Sequence, residues 1–510
     1  MGKLWIVPPL IAATIVGCAD RSRTPDANFP ITTSSASARK LYVKGRDAYE
    51  RLRPSDAVPL FEKAIALDPD FALAHLSRST TAPKTSDRLE ALRRAVELAD
   101  RVSEPERHLI FATEASFNGL PEIERTHLEA LVSAFPSDAR ILTAMGHFYF
   151  QRQEWSEAIG TYRRAIATAP DYPPPYNMLG YALKYSGEWD DAEAVLRKYA
   201  QLIPDEPNPH DSYAELLMNR GKFDEAIRTY SRALDLDPNF APSYIGIGIA
   251  SLFLERPDQA RESFTKLAFI AKDDRERRQA LTWLAASFVY EGRTEDALAQ
   301  VARRREIATR SGDLGSLAFD SDFAGEVLLD AGRLDEAQAS FERCAIEAED
   351  ASLGPLVLAS YLRQNVFDMA RVALARGDLE EARRLTEKFR SLVASAQIPD
   401  LQRQAHALEG LLALASGDAR RAVSELEASD QGNPRNLHAL GQARLAAGNR
   451  KGAVEAFERA TQYMAPDISF VFVRPEALAR LRELNASPAV NRHPPEAQTR
   501  TACVSSSGPA

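Results

Sequence analysis

Cysteine is scarce in this chain of 510 residues: Cys18, Cys344 and Cys503 are too few and too scattered for a disulfide framework or a cysteine-built metal centre. No apolar run reaches the roughly 20 residues that a membrane-crossing helix needs, and the run from Leu4 to Val16 falls short of it. Basic residues are not in excess. Lys and Arg number 63 against 72 Asp and Glu, with no basic stripe and interleaved aromatics, so nucleic acid is not expected as a partner. Catalytic signatures are missing too. The chain has no Gly-rich phosphate loop running into Lys-Ser/Thr, no His-Glu-x-x-His pair among its eight histidines and no Gly-x-Ser-x-Gly nucleophile turn. Gly246-Ile247-Gly248 sits in a helical pattern rather than after a strand, where close helix packing accounts for it. Asp320-Ser321-Asp322 lacks the glycine and terminal glutamate of a calcium loop and reads as a solvated helix entry. Cys344 takes a place otherwise held by alanine, which suits a small buried hydrophobe. No enzyme is expected, and with it no catalytic residue, metal or cofactor.

What is present is a period. Pro136, Pro170, Pro204 and Pro238 stand 34 residues apart, and ahead of the last three lie Ala158, Ala192 and Ala226, each followed four residues on by Tyr162, Leu196 and Tyr230. Leu142, Met145 and Tyr149 are three to four apart and form one stripe of a first helix, with Gly146 inside it. Trp155 opens a second helix, Ala158, Tyr162 and Ala165 continue its buried face, and Pro170 ends it because proline cannot donate the next helical hydrogen bond. Neither helix buries its stripe alone. The pairs must stack in series.

A small residue on the first helix, then Ala, an aromatic or large residue and a closing Pro recur as Gly146/Ala158/Tyr162/Pro170, Gly180/Ala192/Leu196/Pro204 and Ala214/Ala226/Tyr230/Pro238, and earlier as Gly45/Ala57/Phe61/Pro69. In this the chain resembles the tetratricopeptide repeat family. The resemblance implies an all-α, right-handed superhelical solenoid of helix-turn-helix repeats that takes a protein or peptide in its concave groove. The regular array spans 38–271. From 272 to 464 second helices continue at Ala297, Ala337, Ala382, Ala422 and Ala453, at uneven spacing, after turns such as Ala375-Arg376-Gly377-Asp378. Residues 465–485 form a cap, with Ile468 to Val473 strand-like and Pro475 to Leu484 a closing helix, and 486–510 is a Pro/Ser-rich tail with little to bury.

At the other end, Lys3, the short apolar run and Ile15-Val16-Gly17-Cys18 read as a signal peptide over 1–18 and resemble the lipobox of bacterial lipoproteins, in which the cysteine is lipidated. Residues 19–37, rich in Ser, Thr, Asp, Arg and Pro, are the expected tether. Ala19 in place of aspartate leans toward the outer membrane, facing the periplasm, with the lipid anchor on Cys18. By the resemblance, the groove-facing positions are Arg39, Tyr42, Arg46 and Tyr49 in the first unit, then His147, Phe150, Asn177, Tyr181, Lys184, Tyr185 and Asn219. The function these readings imply is a non-enzymatic scaffold of the bacterial cell envelope. The alternatives are a regulatory or sensor repeat protein, or an enzyme whose site lies in the irregular repeats. Oligomeric state stays open.

Overall fold

A computed structural model describes residues 29–486, apart from 52, 83, 352, 395–397 and 464–467. The described residues form 25 α-helices, one 3-10 turn and no strand. They run as consecutive hairpins: α1 (Ala36–Glu50) with α2 (Pro54–Leu67), α3 (Ala72–Thr81) with α4 (Thr85–Glu97), α5 (Glu104–Phe117) with α6 (Pro121–Ala134), α7 (Ala139–Gln151) with α8 (Trp155–Thr168), α9 (Pro174–Ser186) with α10 (Trp189–Leu202), and α11 (Asn208–Asn219) with α12 (Phe223–Leu236). Then come α13 (Ala241–Phe253) with α14 (Pro257–Ile270), α15 (Asp274–Tyr290) with α16 (Thr294–Ser311), α17 (Leu314–Asp330) with α18 (Leu334–Asp350), α19 (Pro355–Arg376) with α20 (Leu379–Ala394), α21 (Pro399–Ala415) with α22 (Ala419–Ala428), α23 (Pro434–Ala446) with α24 (Arg450–Thr461), and the unpaired α25 (Phe470–Ala486). Each helix packs on the next, and odd-numbered helices also touch the following odd-numbered ones, as α7–α9, α11–α13 and α19–α21 do. The chain is a helical solenoid with one shared inner face.

Local chemistry sets the boundaries. Asp138 caps α7 by accepting from the backbone N–H groups of Arg140 and Ile141, and Ser103 with Glu106 forms a reciprocal capping box on α5. Gly187 and Gly377 end α9 and α19 with φ of 84° and 76°, a left-handed conformation that glycine takes without strain.

Inside a hairpin one spacing holds along the chain. Gly45, Gly146, Gly180, Gly248, Gly325, Gly410 and Gly441 each face the side chain 16 residues later, namely Phe61, Tyr162, Leu196, Phe264, Phe341, Leu426 and Phe457. A Cβ at any of these glycines would lie 2.1–2.8 Å from that side chain. The absent side chain is what lets the two helices cross so closely. Gly246 faces the preceding hairpin, against Tyr230, so the Gly246-Ile247-Gly248 pattern serves helix packing on both sides.

Several expectations need correction. Ile468 to Val473 is not extended: α25 starts at Phe470, and Phe470, Val471, Phe472 and Val473 are all buried, a continuous apolar run that fits a buried helical turn as well as a strand. The expected tether 19–37 does not hold over its described part. Phe29 is buried with its ring 5.5 Å from Phe135, Thr32 N–H donates to Glu106 Oε1 at 2.7 Å, and Ser34 N–H donates to Asp68 at 2.9 Å, so the chain is packed from Phe29 onward. Asp320, Ser321 and Asp322 are not solvated. They lie inside α17, where Asp320 takes ion pairs from Arg278 at 2.9 Å and Arg304 at 2.7 Å and has no exposed side-chain surface. At Lys272 to Arg278 the packing continues from α14 into α15, and what changes there is helix length. Cys18 and residues 1–28 lie outside the described residues, as does the tail from 487.

The solenoid curls until its turns meet. Glu50 of α1 reaches Arg140 of α7 at 3.3 Å, Arg51 and Arg53 both pair with Glu206 ahead of α11 at 2.6 and 2.7 Å, and Asp56 meets Lys272 at 3.5 Å. Further along, Glu326 of α17 pairs with Arg435 of α23 at 2.7 Å, and α25 packs across onto α15.

Candidate protein-binding groove

The inner face divides into three zones that differ in how much they leave for a partner. In the first unit the chain uses its own groove positions. Tyr42 is buried with ring centroids 5.0 Å from Phe71 and 6.0 Å from Phe61, and burial pushes its hydroxyl up to about 12. Arg46 is 1% exposed and lies 3.6 Å from Glu50, and Tyr49 is buried. Arg39 is exposed and donates to the Ile31 carbonyl. Three of the four residues expected to face a ligand here are enclosed: Tyr42 lies under Phe61 and Phe71, Tyr49 is buried, and Arg46 lies beside Glu50, which the curling chain brings to Arg140.

The second zone, on α7, α9, α11 and α13, is a ladder of polar contacts. Asn177 accepts from Ser212 Oγ at 2.8 Å, and Asp211 accepts from Ser243 Oγ at 2.8 Å. Tyr181 Oη and Lys184 Nζ both donate to Glu215, at 2.7 and 2.6 Å, and the ammonium lies 4.5 Å from the ring centroids of both Tyr181 and Tyr185. Lys184 is 3% exposed, yet Glu215 keeps its ammonium pKa raised against the opposing effect of burial. His147 is buried against Tyr162, bonded to the Thr143 carbonyl, and burial pushes it down to about 4, so it is neutral near pH 7. Asn219, at the end of α11, is half-buried.

What stays accessible in this zone is aromatic. The rings of Phe150, Trp155 and Tyr185 meet pairwise at 5.3, 5.9 and 5.4 Å, with Tyr185 and the neighbouring Trp189 each 37% exposed. Phe150 and Tyr185 are among the groove positions expected from the sequence, whereas Trp155 is not, nor are Ser212 and Glu215, the partners of Asn177, Tyr181 and Lys184, nor the Asp211–Ser243 pair beside them. One signal was available: Tyr181 and Glu215 are 34 apart, the repeat period itself, so they occupy equivalent positions on adjacent first helices.

Asp211 carries a pH consequence. Burial, with Glu215 nearby, pushes its carboxyl up to about 7, while the unfolded chain releases that proton near the ordinary aspartate value. Between about pH 4 and 7 the unfolded state therefore binds fewer protons than the folded one, and stability falls as pH rises. Asp211→Asn, which keeps an acceptor for Ser243, is expected to stabilise the protein by about 1–3 kcal/mol at pH 8 and hardly at all at pH 4. Melting curves of the two proteins at both pH values check this; an equal difference at each would refute it.

The third zone is occupied by the C-terminal part of the chain. Phe253, at the end of α13, has Phe470 at 4.8 Å and Tyr463 at 5.5 Å, and the Arg474 guanidinium stands 4.8 Å over its ring. Arg474 also donates to the Phe253 carbonyl at 2.9 Å and to Tyr290 Oη. Deeper in the array, Arg371 pairs with Glu326 and with Asp368 at 3.1 Å. Burial and neighbouring carboxylates push Asp322 well up and Asp368 to about 6, whereas Arg371 and Arg435 overcome burial to hold Glu326 well below the usual range. Among the described residues no group of three or more His, Cys, Asp or Glu is placed to hold a metal ion, and no helix is long and apolar enough to cross a membrane.

With this geometry in view, models of the tetratricopeptide repeat match residues 146–187 and 214–251, 323–343 and 367–388, and 42–82. None of the curated protein sequences matches the chain. Among solved structures, yeast Tom70 is similar at 14% identity, covering 88% of this chain and 95% of its own with a TM-score of 0.40. TTC0263 of Thermus thermophilus, a thermophilic TPR protein, is similar at 20% identity over 42% of this chain and 99% of its own, with a TM-score of 0.29. YrrB, described as a TPR protein with an unusual peptide-binding site, is similar at 20% identity over 37% of this chain and 97% of its own, with a TM-score of 0.26.

Proposed function

We propose that this solenoid, which carries tetratricopeptide repeats at residues 42–82, 146–187, 214–251, 323–343 and 367–388, is a non-enzymatic scaffold of a bacterial cell envelope that holds a partner protein on its inner face. Such repeats indicate protein–protein interaction; the envelope setting rests on the lipobox ending at Cys18, with the anchored chain facing the periplasm from the outer membrane. The observation that carries the docking site is the partly exposed cluster of Phe150, Trp155 and Tyr185, with Trp189 beside it. Trp and Tyr in partly desolvated clusters are the side chains that dominate interface energetics, at about 2 kcal/mol or more for each hot spot. Beneath them Lys184 and Glu215 are already paired with each other, so they fix the platform and leave ligand contact to the rings.

The test is a photo-crosslinking residue in place of Tyr185 in cells, followed by affinity measurement with the recovered partner. Trp155→Ala with Tyr185→Ala should weaken binding at least tenfold with a melting temperature close to wild type; unchanged affinity would move the site elsewhere. In the same cells, palmitate label should enter the wild-type chain and not Cys18→Ser, and equal labelling would remove the lipid anchor from the reading.

A further inference from the structure

A closing helix has one task in a repeat array, to cover the last hairpin, and contacts with α23 and α24 accomplish it. α25 does more. It crosses to α13 and α15, and its contacts there join residues 184 to 227 positions apart. Phe470 packs on Phe253, Arg474 lies over the same ring while donating to the Phe253 carbonyl and to Tyr290, and Arg482 pairs with Glu255 at 3.3 Å. These contacts have the form of ligand recognition. A short apolar run fills the inner face, and one guanidinium satisfies a helix-terminal carbonyl that no intrahelical N–H reaches. The seat also borders the core beneath the aromatic platform, since Tyr463, ahead of α25, packs on Phe253 in a buried cluster whose flanking Tyr213 also flanks the cluster that Phe150 packs against.

We propose that the surface formed by Phe253, Tyr290 and Glu255 is a docking seat for an apolar helix bearing an arginine directly after a Phe/Val run, one turn beyond its leading Phe. The chain's own 470–482 segment fills the seat at rest, and a partner carrying a helix of this chemistry displaces it. This rests on the scaffold reading given above and names the partner's recognition element. Tethering holds the resident segment at an effective concentration of about millimolar, so a free competitor binds weakly until the resident is weakened or the competitor gains affinity at the neighbouring aromatic platform. Occupancy of the seat is therefore a built-in threshold that rejects partners able to use only one of the two surfaces.

The experiment needs no natural partner and so fails separately from the scaffold reading. A fluorescent peptide of residues 468–486 is titrated into the full chain and into a full-length Phe470→Asp/Arg474→Ala variant, whose seat residues are unchanged. The variant is expected to bind the peptide at least fiftyfold more tightly than the wild type does, and a peptide carrying the same two substitutions should bind at least tenfold more weakly. A variant that keeps wild-type helicity and melting behaviour yet binds no peptide overturns the proposal. So does a doubled mass in light scattering with the segment exchanged between two copies. Should the variant not fold, hydrogen exchange on the wild-type chain decides: amides of 470–486 should open before those of α15 and α24, and exchange of all three only on global unfolding refutes displacement.

Discussion

Leucine in place of Gly248 should destabilise the middle of the array by about 3 kcal/mol or more, at or beyond the upper end of the usual cost of overpacking. Even the first added carbon would lie 2.1 Å from Phe264 Cε1 and 2.3 Å from Cζ, well inside contact distance. Phe264 has no easy retreat, because its ring stacks 5.9 Å from Trp283 of the next hairpin and both side chains are fully buried. Relief would have to come from separating α13 from α14, or from pushing α15, and either opens cavities in a close-packed core. Damage should centre on residues 241–290, since repeats contact mainly their neighbours. Gly160 provides the contrast: it is exposed with nothing within 4 Å of an added Cβ, so Gly160→Ala should stabilise by roughly 0.5–1 kcal/mol as a helix-interior glycine replaced. Thermal melts and hydrogen exchange on both variants read the outcome, and a Gly248→Leu protein that melts with the wild type would remove close helix crossing as the reason for these glycines.

Arg371→Met should cost about 3–5 kcal/mol, the range for removing one partner of a buried ion pair. Arg371 serves two carboxylates, Glu326 and Asp368. Without it Glu326 retains Arg435, while Asp368 retains the amide of Gln364 at 3.0 Å and faces Glu326 and Asp322 unscreened. The penalty should depend on pH. Asp368 already sits at about 6 in the folded protein, so at pH 5 it is largely protonated and demands no cation, whereas at pH 8 the charge must be buried. The loss is therefore larger at pH 8 than at pH 5, and adding Asp368→Asn should restore part of it. Denaturation at both pH values checks this; a loss independent of pH, with no recovery in the double variant, would contradict the role given to Arg371.

Which features the sequence made legible follows from how local their causes are. Pro170, Pro204 and Pro238 with Ala158, Ala192 and Ala226 expose the regular hairpins, because helix length and turn are set by residues within a few positions. Beyond Phe240 the proline period fades, yet Gly325–Phe341, Gly410–Leu426 and Gly441–Phe457 keep the 16-residue spacing of Gly45–Phe61. The crossing point of a hairpin fixes that spacing, while helix length away from the crossing is free, as the 17 and 18 residues of α15 and α16 show. Individual groove positions were readable from the period; their occupants were not. Tyr42 is covered by Phe61 and Phe71, Arg46 lies beside the Glu50 that Arg140 of α7 reaches when the chain comes round, and Asp320 is paired with Arg278 and Arg304 of the preceding hairpin. Arg474 finds the Phe253 carbonyl only after the curvature of successive hairpins has accumulated. A turn signal has no access to that sum.

A row of repeats touching only their neighbours behaves as a spring, extending a little at every joint under small force. Here Arg51 and Arg53 on Glu206, and Asp56 on Lys272, fasten the first turn of the coil to later ones. Extension must break these fastenings before any joint can bend far, so the coil is stiff at low load and compliant only past a yield point. The Asp56–Lys272 clasp is half-exposed at both ends, a pair of about 0–1 kcal/mol that salt weakens, whereas Arg51 and Arg53 close on a buried Glu206 that salt screens less. The yield point therefore falls as ionic strength rises, and the hydrophobic hairpins beneath keep their shape while the first turn loosens.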